Sequence, residues 1–295
     1  MFNTLKYYKL WFIISGLFLA FGIISLSVYG LKLGIDFKGG TVTELKFEQQ
    51  PDIGKIKEVL AGKGLQNSQV QTAGNNGIII KTESLEKAKH DEMLEELSGE
   101  IGKFEELRFD SVGPVVGREL TRNAFYQLIL VSLGIIFYLA YAFRRVPRPL
   151  TSWRFGMSAI IALLHDLMVV LGVFSLLGRF KGIEVDSMFV TAMLTVLGFS
   201  VHDTIVVFDR IRENLKVYGG QSIEFVVNHS IGQTIVRSLN TSLTVLFVLL
   251  ALLLFGGETI RWFVFALFVG VIVGTYSSIF IASPVLVLWQ RIKRS

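Results

Sequence analysis

The feature that most constrains this chain is a carboxylate inside a stretch that is long and apolar enough to cross a lipid bilayer. The stretch covers residues 187–208, and Asp203 lies about a turn and a half before its end. A charged side chain at this depth costs roughly 2.5–3.5 kcal/mol on insertion scales, and such residues mark ion paths, proton paths or the partner of another buried charge. The fold must therefore shield Asp203 from lipid.

The composition is that of an integral membrane protein. Of the 295 residues, 52% are hydrophobic and 18% are charged, and the mean hydropathy is +0.55. A helix crosses the hydrocarbon layer with about 20 apolar residues. Six runs meet this length, at residues 11–29, 123–143, 155–177, 187–208, 235–255 and 262–289. The first follows Lys6 and Lys9 as a signal peptide would, but it is long and no small-x-small site follows, which predicts a retained anchor.

Several functional classes are excluded by residue type or spacing. The chain has no cysteine, so disulfides, thiol catalysis and cysteine-ligated metals are ruled out. The pI of 9.3 could indicate nucleic acid, but the basic residues cluster at the ends of apolar runs, where they anchor helices. Residues 34–41 lack the spacing of a phosphate-binding loop, the intramembrane aspartates lack the Gly-x-Gly-Asp context of a protease, and the histidines lack metal-site spacing. We expect no enzyme, no metal, no cofactor and no nucleic-acid partner.

The distribution of basic residues predicts the orientation. One side carries Lys6, Lys9, Arg144, Arg145, Arg148, Arg154, Arg210, Arg212, Lys216, Arg291, Lys293 and Arg294. The short loops of the other side hold only Arg179, Lys181 and Arg261. By the positive-inside rule both termini are cytoplasmic. The chain then divides into a first span with its cytoplasmic end (residues 1–29), an extracytoplasmic domain (30–122) and a five-span membrane core (123–295).

The polar segment at residues 30–122 has the pattern of a small α+β domain. Strands are predicted at residues 42–47, 77–81 and 107–112, and helices at 52–61 and 85–101. This β-α-β-α-β order, with three or four strands, favours a ferredoxin-like fold. The charged helix at 85–101 is interpreted as a solvated face, and no ligand pocket is evident. The predicted fold class is thus a six-helix membrane protein with a ferredoxin-like extracytoplasmic domain between the first two helices.

Ionisable and hydroxyl side chains recur at membrane depth in three neighbouring spans. They are His165 and Asp166 in the third span, Ser200, His202, Asp203 and Thr204 in the fourth, and Arg237, Thr241 and Thr244 in the fifth. Spans four and five form a hairpin, so Asp203 and Arg237 lie at similar depth and an ion pair between them is geometrically possible. The alternatives are a purely structural buried pair, or an Arg237 side chain that extends to the interface.

A carboxyl in this setting is suited to proton exchange. Loss of water disfavours its charged form and a nearby guanidinium favours it, and these opposed effects leave Asp203 able to gain and lose a proton. The coupling ion would then be the proton, along a path of Asp203, Arg237 and Asp166. His202, His165, Thr241 and Ser200 could assist, although a histidine in a membrane helix is more often a hydrogen-bonded packing residue.

Small residues recur every four positions in the sixth span, at Gly270, Gly274, Ser278 and Ala282. Such a stripe lets another helix approach closely. We predict a helix-packing face here. Residues 210–218, after the fourth span, have the pattern of an amphipathic helix at the cytoplasmic interface that could contact lipid or a cytosolic partner.

Five segments together resemble the SecF family, the smaller subunit of the bacterial SecDF protein-export complexes within the resistance-nodulation-division superfamily. They are GIDFKGGT (34–41), VGPVVGREL (112–120), GFSVHDTIVVFDRIREN (198–214), RSLNTSLT (237–244) and GTYSSIFIASP (274–284). The resemblance covers essentially the whole chain in the expected order. It implies a multi-pass protein of the bacterial cytoplasmic (inner) membrane that pairs with SecD and assists the SecYEG channel by using the proton motive force.

The resemblance also implies roles for particular residues and partners. The family's proton-path aspartate and arginine fall on Asp203 and Arg237, and the aspartate of its third-span His-Asp pair falls on Asp166. His202 stands where many relatives have asparagine, so no role for its imidazole is implied. The translocating polypeptide and the SecD chain would be partners beside the lipid bilayer. Two alternatives remain open: a small-molecule efflux half-transporter of the same superfamily, and a membrane assembly factor that does not transport.

Overall fold

The computed structural model describes residues 4–74, 76–144, 146–147 and 150–292, without the side chains of residues 291 and 292. Contacts divide the chain into two compact units. A membrane unit comprises Met1–Lys32 and Tyr126–Ser295, and a sheet unit comprises Leu33–Phe125. Of the basic residues that predict the orientation, Arg145, Arg148, Lys293 and Arg294 lie outside the described residues.

The sheet unit has the β-α-β-β-α-β order of a ferredoxin-like fold, which confirms the predicted fold class. Its elements are α2 (Ile35–Lys38), β1 (Gly40–Phe47), α3 (Ile53–Gly62), β2 (Gln69–Ala73), β3 (Gly77–Thr82), α4 (Lys87–Glu100) and β4 (Phe104–Val112), following α1 (Tyr8–Tyr29) of the membrane unit. Its described residues form one antiparallel sheet in the order β2-β3-β1-β4. The sequence pattern did not predict β2 (QVQTA), because this edge strand has largely exposed side chains and lacks apolar alternation.

The core of the sheet unit forms where alternate strand residues meet the two long helices. Leu45 and Ile80 are fully buried against Ile56 and Leu97. Helix α3 begins at the cap residue Asp52, whose carboxylate accepts from the backbone N–H of Gly54 at 2.7 Å. The sheet unit therefore has a hydrophobic core of its own.

Among the described residues, six helices are long and apolar enough to cross a membrane, as the sequence predicts. After α1 they are α5 (Pro114–Ala142), α6 (Ser152–Lys181), α7 (Ser187–Val217), α8 (Ile223–Phe255), and α9 (Glu258–Ser277), which continues through a π-helical turn (Ser278–Ala282) into α10 (Ser283–Ile292). Residues 210–218, interpreted as an interfacial helix, form the end of α7 without a break as far as Val217. No proline or glycine interrupts the chain there, so the helix continues.

Two close helix crossings organise the membrane unit: α7 along α9, and α1 along α6. A Cβ on Gly270 would lie 2.1 Å from the side chain of Val196, so α7 approaches α9 as closely as glycine allows. At the other crossing, a Cβ on Gly172 would lie 2.4 Å from the Cα of Gly22. The small-residue stripe of α9 is evident in the sequence, whereas the crossing of α1 with α6 has no comparable sequence signal.

Candidate functional site

Asp203 is buried inside the membrane unit and is held by hydroxyl groups. Its side chain is 3% exposed on α7. Ser242 of α8 donates from Oγ to Asp203 Oδ2 at 3.4 Å, and Thr275 of α9 lies beside Ser242. The hydroxyls of Ser242 and Thr275 lie 2.6 Å apart. Three helices therefore shield Asp203 from lipid, as its position in an apolar run demands.

A second buried carboxylate, Asp166 on α6, is 1% exposed. Its Oδ2 accepts from Ser200 Oγ of α7 at 2.5 Å and from Ser277 Oγ of α9 at 2.7 Å. Its Oδ1 lies 3.0 Å from Nδ1 of His165. The other ring nitrogen of His165 is buried without a hydrogen-bond partner among the described residues. The Asp166 carboxylate therefore contacts polar side chains of three helices, α6, α7 and α9.

Further hydroxyls lie between α7 and α9 next to the Asp166 cluster. The backbone carbonyl of Ser200 accepts from Thr204 Oγ1 and from Ser278 Oγ, each at 3.1 Å. The hydroxyls of Thr204 and Ser278 are themselves 2.8 Å apart. Ser278 opens the π-helical turn, an irregularity that is often found at functional sites. The hydroxyls of α7, α8 and α9 that lie around Asp166 and Asp203 form two clusters, which we together call the hydroxyl seam.

Arg237 does not pair with Asp203 within the described part of the chain. Its side chain is exposed, whereas Ser238 and Ser242 on the next face of α8 point inward to the seam. Successive helical residues are rotated by about 100°, so two neighbours in sequence can face opposite environments. The two side chains lie on adjacent helices, as predicted, but on different faces.

The exposed side of α7 and α8 carries polar groups that lipid cannot satisfy. The side chains of His202, Arg237, Asn240 and Thr241 are exposed and have no hydrogen-bond partner among the described residues. We call these four residues the open polar face. Polar groups in membrane helices are almost always turned toward protein or a water-filled cavity. The side chains of the open polar face therefore need a polar partner, water or, for Arg237, the membrane interface.

The helix-packing residues of α9 lie against α7 beside the acids. Gly270 meets Val196, a Cβ on Gly274 would lie 3.1 Å from Cβ of Ser200, and Ser278 contacts Thr204. The close approach brings the α9 hydroxyls within reach of α7. Neither Ser242 nor Ser277 was predicted from the sequence as a functional residue. Each of the two is next in sequence to a predicted residue: Ser242 follows Thr241, and Ser277 precedes Ser278.

The fold and site together define a multi-pass membrane protein of the transport type, with buried acids in its helix bundle and a small sheet unit between its first two spans. Among the described residues, no group of three or more histidine, aspartate or glutamate side chains is arranged to hold a metal ion. What the site can do chemically is bind and release protons at two carboxyl groups.

Comparison with known proteins identifies the family. The family described as "Protein export membrane protein SecD/SecF, C-terminal" matches residues 92–292, and the "SecD/SecF GG Motif" matches residues 24–51. The chain is 47% identical to a protein translocase subunit SecF of Thermobaculum terrenum, covering 99% of this chain and 95% of that protein. A second SecF, from Anaerolinea thermophila, is 42% identical over 98% of this chain and 94% of its own length. This chain belongs to the SecF family of protein translocase subunits.

A solved structure agrees with this assignment. The crystal structure of SecDF, a translocon-associated membrane protein from Thermus thermophilus, is similar with a TM-score of 0.85 and 35% sequence identity. The match covers 98% of this chain but only 39% of the SecDF chain. A second crystal structure of SecDF, in the super-membrane-facing form, matches with a TM-score of 0.71. The family and this structural match support a partnership with SecD in the Sec translocase.

Proposed function

We propose that this chain pairs with a separate SecD polypeptide and uses the proton motive force to promote protein export through the SecYEG channel. The observation that carries the proposal is the pair of buried acids in a SecF-family membrane unit. The chain corresponds to 39% of the matched SecDF chain and to 95% of the SecF relative from Thermobaculum terrenum, which supports pairing with a SecD polypeptide.

The open polar face supports the SecD pairing. A guanidinium exposed at membrane depth is stable only when it finds an anion or water. We therefore assign Arg237 to the interface with SecD, together with Asn240 and Thr241. In this arrangement Arg237 acts on the proton path from the partner's side of the helix pair rather than through a direct ion pair with Asp203.

The positive-inside pattern supports a bacterial cytoplasmic membrane protein with both termini in the cytoplasm. The sheet unit then lies on the outer side, where a polypeptide emerges from the channel.

Protonation of Asp203 from the outer side would alter its hydrogen bonding to neighbouring helices and shift these helices against SecD. The movement would swing the sheet unit while it holds the emerging chain, and release of the proton to the cytoplasm would reset the cycle. One proton crossing the membrane supplies roughly 2.3 kcal/mol per 100 mV, enough to bias such an equilibrium.

The proposal is tested by Asp203→Asn in the SecD-containing complex, with export of a preprotein measured with and without a proton motive force. Asparagine keeps the shape of the side chain but cannot exchange a proton. We expect the proton-dependent part of export to be lost while membrane insertion and SecD association persist. Asp209→Asn is the matched control, because Asp209 lies on the same helix outside the seam and pairs with Arg212. Export that stayed fully proton-dependent in Asp203→Asn would refute the relay.

A further inference from the structure

Two arginines at one end of the membrane unit have buried nitrogens without a hydrogen-bond partner among the described residues. Arg154, in the first turn of α6, is 7% exposed, and its Nη1 has no acceptor there. On α7, Nε of Arg212 is likewise buried without an acceptor. Buried polar groups are nearly always hydrogen-bonded, so an unpaired one needs an explanation. Two such nitrogens, both on cationic groups, point to an anion from outside this chain.

The two arginines are neighbours because α6 and α7 are both tied to the end of α5. Ser152 Oγ donates to the carbonyl of Phe143 at 2.6 Å. Arg212 Nη1 donates to the carbonyl of Ala142, the preceding residue, at 3.4 Å. Because the two carbonyls belong to consecutive residues, Arg212 lies beside the first turn of α6, which contains Arg154.

The first turn of α6 adds positive potential of its own. The N–H groups at the start of a helix lack intrahelical acceptors and give that end a partial positive charge. Acids often neutralise this charge, but the first turn of α6 contains none, and Thr151 at the cap position makes no side-chain hydrogen bond to it. Arg154 places a full positive charge in the same turn. The turn therefore carries positive charge that nothing within it balances.

The acids on the neighbouring part of α7 are already paired. Asp209 Oδ1 lies 2.6 Å from Arg212 Nη2, and Glu213 Oε2 lies 2.7 Å from Arg210 Nη1. In the part of the chain that the structure describes, no carboxylate pairs with Arg154. Phe155, next to Arg154 in sequence, is fully buried. A charge in such surroundings is costly unless it is paired, so a counter-charge would stabilise this end of the bundle.

The position of the two arginines favours a lipid phosphate as that counter-charge. Trp153, adjacent to Arg154, is 63% exposed, and tryptophan is enriched where a membrane helix meets the lipid headgroups. The Arg212 side chain is 31% exposed, so the site opens to the surface. A guanidinium matches the geometry of a phosphate, and helix N-termini and basic pockets between membrane helices bind phosphate groups.

We propose that Arg154 and Arg212, together with the N-terminus of α6, bind the phosphate group of an anionic phospholipid. The positive-inside pattern places this lipid in the cytoplasmic leaflet. Free inorganic phosphate has the same chemistry, and the experiment below distinguishes the two sources. The proposal goes beyond the proposed function and does not depend on proton exchange at Asp203, so the export test of Asp203→Asn leaves it unchanged.

The test uses the purified complex with SecD in an uncharged detergent. Thermal unfolding is followed while dioleoyl phosphatidylglycerol, dioleoylglycerol without a phosphate, or inorganic phosphate is added. We expect phosphatidylglycerol to raise the unfolding temperature in a saturable way, because a ligand of the folded state stabilises it. Dioleoylglycerol should have no such effect. Arg154→Gln should weaken the apparent affinity for phosphatidylglycerol at least about tenfold, because a charged hydrogen-bond donor is lost.

The matched control is Arg210→Gln, which removes the same charge at the same end of α7. Arg210 is two residues from Arg212, so it lies about 200° around the helix, and it bonds Gln233 and Glu213. Its loss should change the affinity less than about twofold, as surface substitutions do. If Arg154→Gln does not accumulate, Arg154→Lys keeps the charge but not the planar fork, and about threefold weaker binding is expected.

The outcomes separate the possible partners. Stabilisation by inorganic phosphate that depends on Arg154, with nothing added by the lipid, supports the site with free phosphate as its ligand. Equal affinity of the wild type and Arg154→Gln for phosphatidylglycerol overturns the proposal, and so does an equal loss in Arg210→Gln. A wild-type complex that responds to neither phosphate compound also overturns it, since a carboxylate of SecD would then be the partner of Arg154.

Discussion

At the scale of single residues, the decisive contact is the one between Asp203 and the hydroxyl of Ser242. A carboxylate in an apolar helix needs replacement for the water it has lost, and the hydroxyls of Ser242, which donates to Asp203, and of Thr275, 2.6 Å from Ser242, provide polar surroundings from two neighbouring helices. Both hydroxyls are themselves buried and also hydrogen-bond their own helices. The acid is therefore stabilised by groups that remain satisfied when it changes charge.

Replacing Ser242 by alanine should lower the stability of the folded complex by about 1–3 kcal/mol, because a buried acceptor loses a donor. The matched control is Thr244→Ala on the same helix, where the hydroxyl is exposed and bonds the carbonyl of Thr241. That change should stay within about 0.5 kcal/mol. Thermal unfolding in detergent micelles measures both. Equal stability of the two variants would show that Ser242 does not serve Asp203.

At the scale of secondary-structure elements, the contact of α7 with α9 positions the hydroxyl seam. Gly270 and Gly274 permit the approach, and the first meets Val196 while the second meets Ser200. Because Ser200 also donates to Asp166, the packing of the two helices and the hydrogen bonds of the acid depend on one another. A change in the distance between α7 and α9 would therefore change the hydrogen-bonding surroundings of both carboxylates.

Gly270→Ala should destabilise the membrane unit by about 1–3 kcal/mol, since the added methyl overlaps the Val196 side chain at 2.1 Å. It should also reduce proton-dependent export, because the seam hydroxyls are carried away from α7. Gly134→Ala on α5 is the control, as nothing lies within 4 Å of its Cβ position. An unchanged unfolding temperature in Gly270→Ala would mean that α7 and α9 are not in close contact.

At the scale of the whole molecule, the chain combines a self-contained sheet unit with a membrane unit that leaves polar groups exposed. The sheet unit buries its own core, including Leu45 and Ile80. The membrane unit buries its two acids but not Arg237 or Asn240. The second unit thus presents polar side chains that a polar partner or water would satisfy.

The absence of cysteine from the sequence makes this surface directly testable. We expect Asn240→Cys in membranes to react with N-ethylmaleimide when the chain is produced alone. Labelling should fall at least tenfold when SecD is co-expressed, because the partner covers the open polar face. Asn67→Cys, at an exposed position of the sheet unit, should be labelled to the same extent in both preparations. Unchanged labelling of Asn240→Cys would place the SecD contact elsewhere.

Much of the architecture could be predicted because its signals are local and additive. The length of an apolar run decides whether it spans a membrane, and alternation of apolar residues decides most strands. Strand β2 was missed because an exposed edge strand carries no such alternation. The change in polarity near residue 210 resembles the end of a membrane span, and it favours an interfacial helix there. No proline or glycine ends the helix at that point, so α7 continues to Val217.

The sequence by itself determined that this is a six-span protein with a small α+β unit and with acids at membrane depth, since hydrophobicity and period are properties of each segment alone. Only the tertiary structure decided that Asp203 meets Ser242, with Thr275 beside it, while Arg237 faces outward. That choice depends on the rotation of each helix about its axis, which is set by side-chain packing between helices such as Gly270 against Val196. Residues in contact across helices are remote in the chain, so no local pattern specifies which of them meet.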